Sequence, residues 1–171
     1  GNLYVCSDDG HASGSLVCLQ AGDGTERWRY RAAAGFWNSP ACDGRQVYVG
    51  DRAGTFHAVD VKNGQRAWTF PTGAMILKPA SFSPDGRQVV VGSEDMHVYC
   101  LSPAGKLLWK SPKLAGLSLR DGAPTVWEGR AIVRTNPSRP FHESLHEGQR
   151  VVCDIQRNIP VDEREDKVYP G

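Results

Sequence analysis

The chain has 171 residues, 40% of them hydrophobic, which is the length of one domain with enough apolar content to build a core. Its 20 basic and 19 acidic residues leave a net charge of +1, which argues against a nucleic-acid partner, since such a partner normally requires a basic stripe. No apolar run approaches the roughly 18 residues of a membrane-spanning helix.

Strand signals begin at once. Gly1-Asn2 precedes Leu3-Tyr4-Val5, and a second apolar run, Leu16-Val17-Cys18-Leu19, follows. The turn Asp23-Gly24 leads into Trp28-Arg29-Tyr30. A proline-centred run, Ser39-Pro40-Ala41, then reaches the turn Asp43-Gly44 and the strand Val47-Tyr48-Val49. From there the order recurs: Phe56-His57-Ala58-Val59, the turn Asn63-Gly64, Trp68-Thr69-Phe70, and Lys78-Pro79-Ala80. It recurs again as Asp85-Gly86, Val89-Val90-Val91, Val98-Tyr99-Cys100-Leu101, Pro103-Ala104-Gly105 and Trp109-Lys110. Ala123-Pro124-Thr125, Glu128-Gly129 and Ala131-Ile132-Val133 open a fourth unit. β-Branched and aromatic runs separated by acidic-glycine turns are strand and hairpin signals. The proline runs belong at strand starts or edges, because proline cannot donate to a ladder.

The period is set by Trp28, Trp68 and Trp109, 40 and 41 residues apart, each four residues after Gly24, Gly64 or Gly105. Four short strands per roughly 42 residues is one blade of a β-propeller. A blade cannot bury both of its faces alone, so blades stack, and a repeated indole can tie each blade to the next provided its N–H finds a partner. The predicted fold is therefore all-β: a partial propeller over residues 1–134, with two complete blades flanked by two partial ones. A fourth tryptophan is expected near residue 150, where Arg150 stands, so the chain reads as a piece of a larger propeller. No signal sequence is visible in a chain that opens within a blade.

The stretch Val47 to Phe70 resembles the pyrroloquinoline-quinone-type propeller repeat with its tryptophan-docking motif. That bacterial group includes quinoprotein dehydrogenases and the propeller lipoprotein of the outer-membrane β-barrel assembly machinery. The stretch from Ser81 to Leu101 is also similar to WD40 repeats, but no Trp-Asp pair closes its strand. The resemblance implies either a non-catalytic scaffold for other proteins or for the remaining blades of the same propeller, or a dehydrogenase holding the quinone and calcium. The scaffold reading carries no cofactor and no catalytic residue, and an exported, periplasmic setting follows from the resemblance. The vicinal cysteine pair of many quinoproteins is missing here.

Residues 135–171 leave the repeat pattern. Phe141, Leu145, Val152 and Ile155 can share one face of a helix, so an amphipathic helical insertion and a charged tail are expected near the C-terminus. Within it, His142-Glu143-x-x-His146 matches the zinc-protease pattern. On a helix, two histidines at that spacing face one metal and Glu143 can act as general base. A zinc hydrolase is thus a further alternative, although Val152 occupies the third-histidine position of the longer pattern. His57 and His97 fall in second strands and His11 in a loop, where packing is the commoner role.

Cys6, Cys18, Cys42, Cys100 and Cys153 are odd in number and have no Cys-x-x-Cys spacing, which argues against a disulfide framework or a zinc ribbon. Cys18 and Cys100 share the repeat position of Ala58, where a small buried residue is expected.

Overall fold

The computed structural model describes residues 1–9 and 13–136 in full and, beyond them, the backbone of three strands. Every regular element among the described residues is a β-strand. The first sheet has three antiparallel strands in sequence order, β1 (Asn2–Asp8), β2 (Gly14–Gln20) and β3 (Glu26–Ala32). The second has four: β4 (Ala41–Cys42), β5 (Gln46–Gly50), β6 (Thr55–Asp60) and β7 (Arg66–Pro71). The third repeats it with β8 (Ser81–Phe82), β9 (Val89–Ser93), β10 (His97–Leu101) and β11 (Leu107–Lys110). These are propeller blades in consecutive meanders. A two-stranded sheet follows, β12 (Thr125–Trp127) with β13 (Arg130–Ile132), and then a three-stranded one.

That last sheet corrects the expected helix. Residues Phe141–His146 form β14, which pairs antiparallel with β15 (Gln149–Asp154), and β15 pairs with β16 (Ile159–Val161). The apolar spacing that suggested a helix coexists with a hairpin signal. His146 pairs with Gln149, leaving the acidic-glycine dipeptide Glu147-Gly148 between the strands, and the β-branched pair Val151-Val152 favours extended chain.

The core lies between the sheets, as it must when a blade is covered on both faces. In β5 the side chains alternate, with period 2. Val47 and Val49 face the first blade, where they pack with Leu16, Cys18, Trp28 and Phe36. Tyr48 faces the other way and joins Phe56 and Ala58 against Val89, Val91 and Leu101 of the third blade. A further cluster of Val90, Val98, Cys100 and Leu119 takes Val126, Ala131 and Val133 against it.

The tryptophans make the joints. The indole N–H of Trp28 donates to the Val61 carbonyl at 2.9 Å, and that of Trp68 donates to the Pro103 carbonyl at 2.9 Å. Each ring lies flat against a glycine of the next blade. A Cβ on Gly64 would come within 2.7 Å of the Trp28 ring, and one on Gly105 within 2.6 Å of the Trp68 ring. Both glycines also adopt positive φ, 71° and 83°, so the same residue satisfies the turn and the joint. On the strand side each indole faces a small partner: Cys18 pairs with Trp28, Ala58 with Trp68 and Cys100 with Trp109. All three are fully buried, which explains the small residue at that repeat position. A β-bulge follows the small residue in all three blades and sharpens the local twist. Burying an indole removes roughly 150–250 Å² from water, about 4–6 kcal/mol per joint before ordering entropy is subtracted.

Gly44 and Gly105 separate the two demands. Gly44 has φ 88° with nothing within 4 Å of an added Cβ, whereas Gly105 combines φ 83° with the indole contact. Gly44→Ala is expected to cost about 1–2 kcal/mol for the left-handed backbone alone. Gly105→Ala is expected to cost about 1–3 kcal/mol more for the displaced ring. Urea unfolding of the two variants, monitored at tryptophan fluorescence, measures the difference.

Candidate protein-docking face

Antiparallel order sends alternate connections to opposite ends of each blade. One end carries the glycine turns. A cleft of about 470 Å³ opens there, lined by Asp43, Arg45, Asp85, Gly86, Arg87 and Pro103. Its carboxylates are already engaged: Asp43 accepts from the Arg45 and Gln46 amides and the Tyr48 hydroxyl, and Asp85 from Ser83 and the Arg87 amide. The cleft's acids therefore serve the turns.

The other end carries the crossovers between blades. The first two crossovers are stitched by main-chain bonds both to the blade they leave and to a turn of the next blade. The Phe36 amide donates to the Ser7 carbonyl at 3.4 Å, and the Arg52 amide to the Gly35 carbonyl at 3.0 Å. One blade on, the Ile76 amide reaches the Asp51 carbonyl at 3.1 Å, and the Glu94 amide the Met75 carbonyl at 3.0 Å. In the third crossover a side chain substitutes, with the Leu119 amide donating to the Glu94 carboxylate at 2.9 Å. Phe36, Ile76 and Leu119 are the buried anchors of these loops. Beside them an apolar residue points outward in each blade: Trp37 is 56% exposed, Met75 37% and Leu117 51%. All three lie in loops at the same end of the blades.

The rim is ordered. Arg120 donates from Nε to the Ser118 hydroxyl at 2.8 Å, and Ser118 donates to Glu94 at 2.8 Å. At the first crossover the Trp37 indole N–H donates to Asp8, Arg52 donates to Asp8 at 3.0 Å, and the Arg52 guanidinium lies 4.1 Å from the centroid of the Trp37 ring.

Beneath this face lies a buried polar chain between the first two blades. His57 Nε2 lies 3.0 Å from Asp51, its Nδ1 lies 2.9 Å from the Tyr30 hydroxyl, and Asp51 also accepts from the Thr55 amide at 2.7 Å. A neutral His57 with its proton on Nε2 satisfies every group, donating to Asp51 and accepting from Tyr30. Burial acts to raise the Asp51 carboxyl, but the bonds from His57 and Thr55 outweigh it and hold it below the ordinary range. His57 is thus a packed histidine. His97 is half-buried, with Nδ1 2.9 Å from the Ser111 carbonyl, and His11 lies outside the described residues.

The periodic residues act as joints. Trp28 is 9% exposed and Trp109 38% exposed, and Gly148, the counterpart of Gly64 and Gly105 by sequence repeat, lies outside the described residues. Gly24, at the same turn in the first blade, has nothing within 4 Å of an added Cβ. The backbone of His142, Glu143 and His146 belongs to β14, and their side chains lie outside the described residues. Four residues of extended chain separate two Cα atoms by about 13 Å, against about 6 Å on a helix, so the helical spacing behind the zinc pattern is not adopted. Among the described residues no three His, Cys, Asp or Glu side chains are grouped so that they could hold a metal.

Sequence reasoning missed Trp37, Met75, Leu117 and Arg120. The available signal was that Trp37 and Trp127 fall outside the 40-residue series of the other three tryptophans. A second signal concerns the missing fourth indole. Gly148-Gln149-Arg150-Val151-Val152 matches Gly64-Gln65-Arg66-Ala67-Trp68, so Val152, and not Arg150, holds the tryptophan slot.

Blade meander, inter-blade indole joints and crossover face together define a propeller of the pyrroloquinoline-quinone repeat type. The family model described as outer membrane protein assembly factor BamB matches residues 1–158, and the chain belongs to that family. It is similar to the outer membrane protein assembly factor BamB of Burkholderia pseudomallei, 29% identical over 126 residues, covering 74% of this chain and 32% of that protein. It is also similar to the quinoprotein alcohol dehydrogenase PedH of Pseudomonas putida, 32% identical over 79 residues, covering 45% of this chain and 13% of that protein. The crystal structure of BamB from Moraxella catarrhalis shares the fold at a TM-score of 0.62 and 22% identity, over 91% of this chain and 47% of that one. The chain therefore spans about a third of the curated assembly factor and about half of the solved one.

Because the Asp51 carboxyl is held low in the folded state, its contribution to stability is present above its unfolded value of about 3.9 and is lost as pH falls through the folded value. Asp51→Asn is expected to be less stable at neutral pH and to lose stability less steeply below about pH 4. Chemical denaturation of both proteins at several pH values checks the sign.

Proposed function

We propose that this chain is a non-catalytic scaffold, part of a larger propeller in an outer-membrane protein assembly factor, which docks other proteins through its crossover face. The observation that carries the reading is the exposure of Trp37, Met75 and Leu117 on the crossover loops, apolar side chains that the fold leaves outside its own core. Support for a larger propeller comes from the first blade. Leu3 and Val5 are 53% and 42% exposed, at the positions where Val47 and Val49 are buried in the second blade. The lengths of the relatives support it too. A periplasmic setting accords with this reading. No helix among the described residues is long and apolar enough to cross a membrane, which leaves strand-built crossings aside.

The local match to a quinoprotein dehydrogenase favours a second reading, in which these blades belong to an enzyme. It is weaker, because the described residues supply neither a metal-binding cluster nor an adjacent cysteine pair.

A photo-crosslinking residue placed at position 117 in the full-length factor, in cells with an outer membrane, is expected to trap a protein of the assembly machinery. The same residue at position 45, on the glycine-turn end, is expected to trap none. Leu117→Asp is expected to reduce copurification of that partner about tenfold or more. Its melting temperature should be unchanged, because the side chain is already half exposed. Equal trapping at both positions would sink the docking face.

A further inference from the structure

We propose that Asn63 is a site of spontaneous modification: it deamidates through the Gly64 nitrogen, the Trp28 joint holds this reaction off, and the isoaspartate product unseats the indole. The inference is independent of the docking reading.

Asn63-Gly64 is the only Asn-Gly dipeptide in the sequence. A glycine in second place puts no side chain in the way of its own backbone nitrogen as it attacks the neighbouring carboxamide. In that step the Gly64 nitrogen loses its proton and bonds to Cγ of Asn63. The Cγ–Nδ2 bond breaks, and Nδ2 leaves as ammonia. Water then opens the five-membered imide at either carbonyl. Opening at Cγ gives aspartate. Opening at the main-chain carbonyl gives isoaspartate, whose backbone runs through Cγ and is one carbon longer.

The turn prepares the electrophile and locks the nucleophile. Asn63 is exposed, and its Oδ1 accepts from the Gln65 amide at 2.9 Å. That N–H polarises the carboxamide and faces the oxygen on which negative charge develops. Gly64 is buried, and its amide donates to the Asp60 carbonyl at 2.9 Å. The nitrogen that has to be freed is therefore bonded within the turn and shielded from base. The first blade keeps it so. The Trp28 ring lies so close that a Cβ on Gly64 would stand 2.7 Å from it, and the indole N–H holds the Val61 carbonyl at 2.9 Å. Gly64 can rotate toward Asn63 only when the indole lifts, so the rate follows the opening of this joint.

The equivalent turns show what the product does. Ala104 precedes Gly105 in the third blade, and Asp23 precedes Gly24 in the first. Asp23 Oδ1 accepts from the Thr25 amide at 3.0 Å, the same contact that Asn63 makes with Gln65. Aspartate at position 63 thus fits the turn. Isoaspartate inserts a carbon ahead of Gly64 and moves it from beneath the ring. A passing opening of the joint becomes permanent through one chemical step.

The test incubates the full-length protein in warm, mildly alkaline buffer and follows isoaspartate at position 63 by peptide mass spectrometry. Trp28→Phe keeps an aromatic ring but loses the bond to Val61, and it is expected to raise the rate about fivefold. Trp68→Phe makes the same change in the other joint, and it is expected to leave the rate within about twofold. Equal acceleration in both variants would assign the reaction to global unfolding and overturn the gating, as would no acceleration in either. In the parent protein, urea below the unfolding transition should also raise the rate, which serves if Trp28→Phe does not fold. A rate indifferent to urea means that the closed turn reacts, and the gating is wrong. Asn63→Asp should keep the parent's melting temperature and tryptophan emission, whereas the purified isoaspartate form should melt lower and emit further to the red. An isoaspartate form identical to the parent refutes the unseating. Absence of isoaspartate from every variant, while the free peptide of the same sequence forms it, removes the site.

Discussion

The structure depends on one contact: an indole laid flat on a glycine of the following blade, with its N–H on a carbonyl of the same turn. Everything around it is fitted to that contact. The turn needs positive φ, so glycine stands there, and the missing side chain is also what lets the ring approach. The strand beside the tryptophan carries Cys18, Ala58 or Cys100, because a larger neighbour would lift the ring away. The bulge that follows bends the strand at the same place in each blade. Sheet geometry, turn chemistry and inter-blade packing are therefore three views of a single constraint.

Most of the fold could be read in the sequence because this constraint is periodic. Tryptophan, glycine and β-branched runs recur at fixed spacing, and the second, third and fourth strands of the second and third blades fall where their runs predict. The failure came where the period breaks. Phe141 to Ile155 offers apolar residues at helical spacing and a histidine pair that fits a helical metal motif, yet the backbone pairs as strands. A short apolar pattern is ambiguous between the two periods, and the hairpin signal Glu147-Gly148 is decisive only once its strands are known. The proposed docking face was illegible for a different reason. Trp37, Met75 and Leu117 sit in loops, share no motif, and are related only by the stacking of blades. A loop residue acquires its meaning from what stands next to it in space, and the sequence alone does not say that these three loops share an end.

The two ends of the blades divide the labour. At the glycine-turn end the acids cap turns and the indoles lock neighbours, so side chains there serve the scaffold. At the crossover end the loops are pinned by backbone bonds and by Phe36, Ile76 and Leu119, which frees the adjacent side chains to vary. The Tyr30–His57–Asp51 chain, in which His57 and Asp51 are buried, stiffens the platform under Trp37. A rigid scaffold with adaptable loops at one end suits a protein that recognises partners.

The tryptophan and the glycine of one blade lie on its opposite faces. Each blade is thus plug on one side and outlet on the other, and any copy of the unit fits any other. Such a part carries no information about how many are strung together. Gain or loss of a whole unit by gene duplication or deletion leaves every joint chemically intact, so ring size is free to drift until closure geometry selects it. Val152 stands in the sequence slot that carries an indole in the preceding units, and so a numbered position enters an otherwise anonymous series.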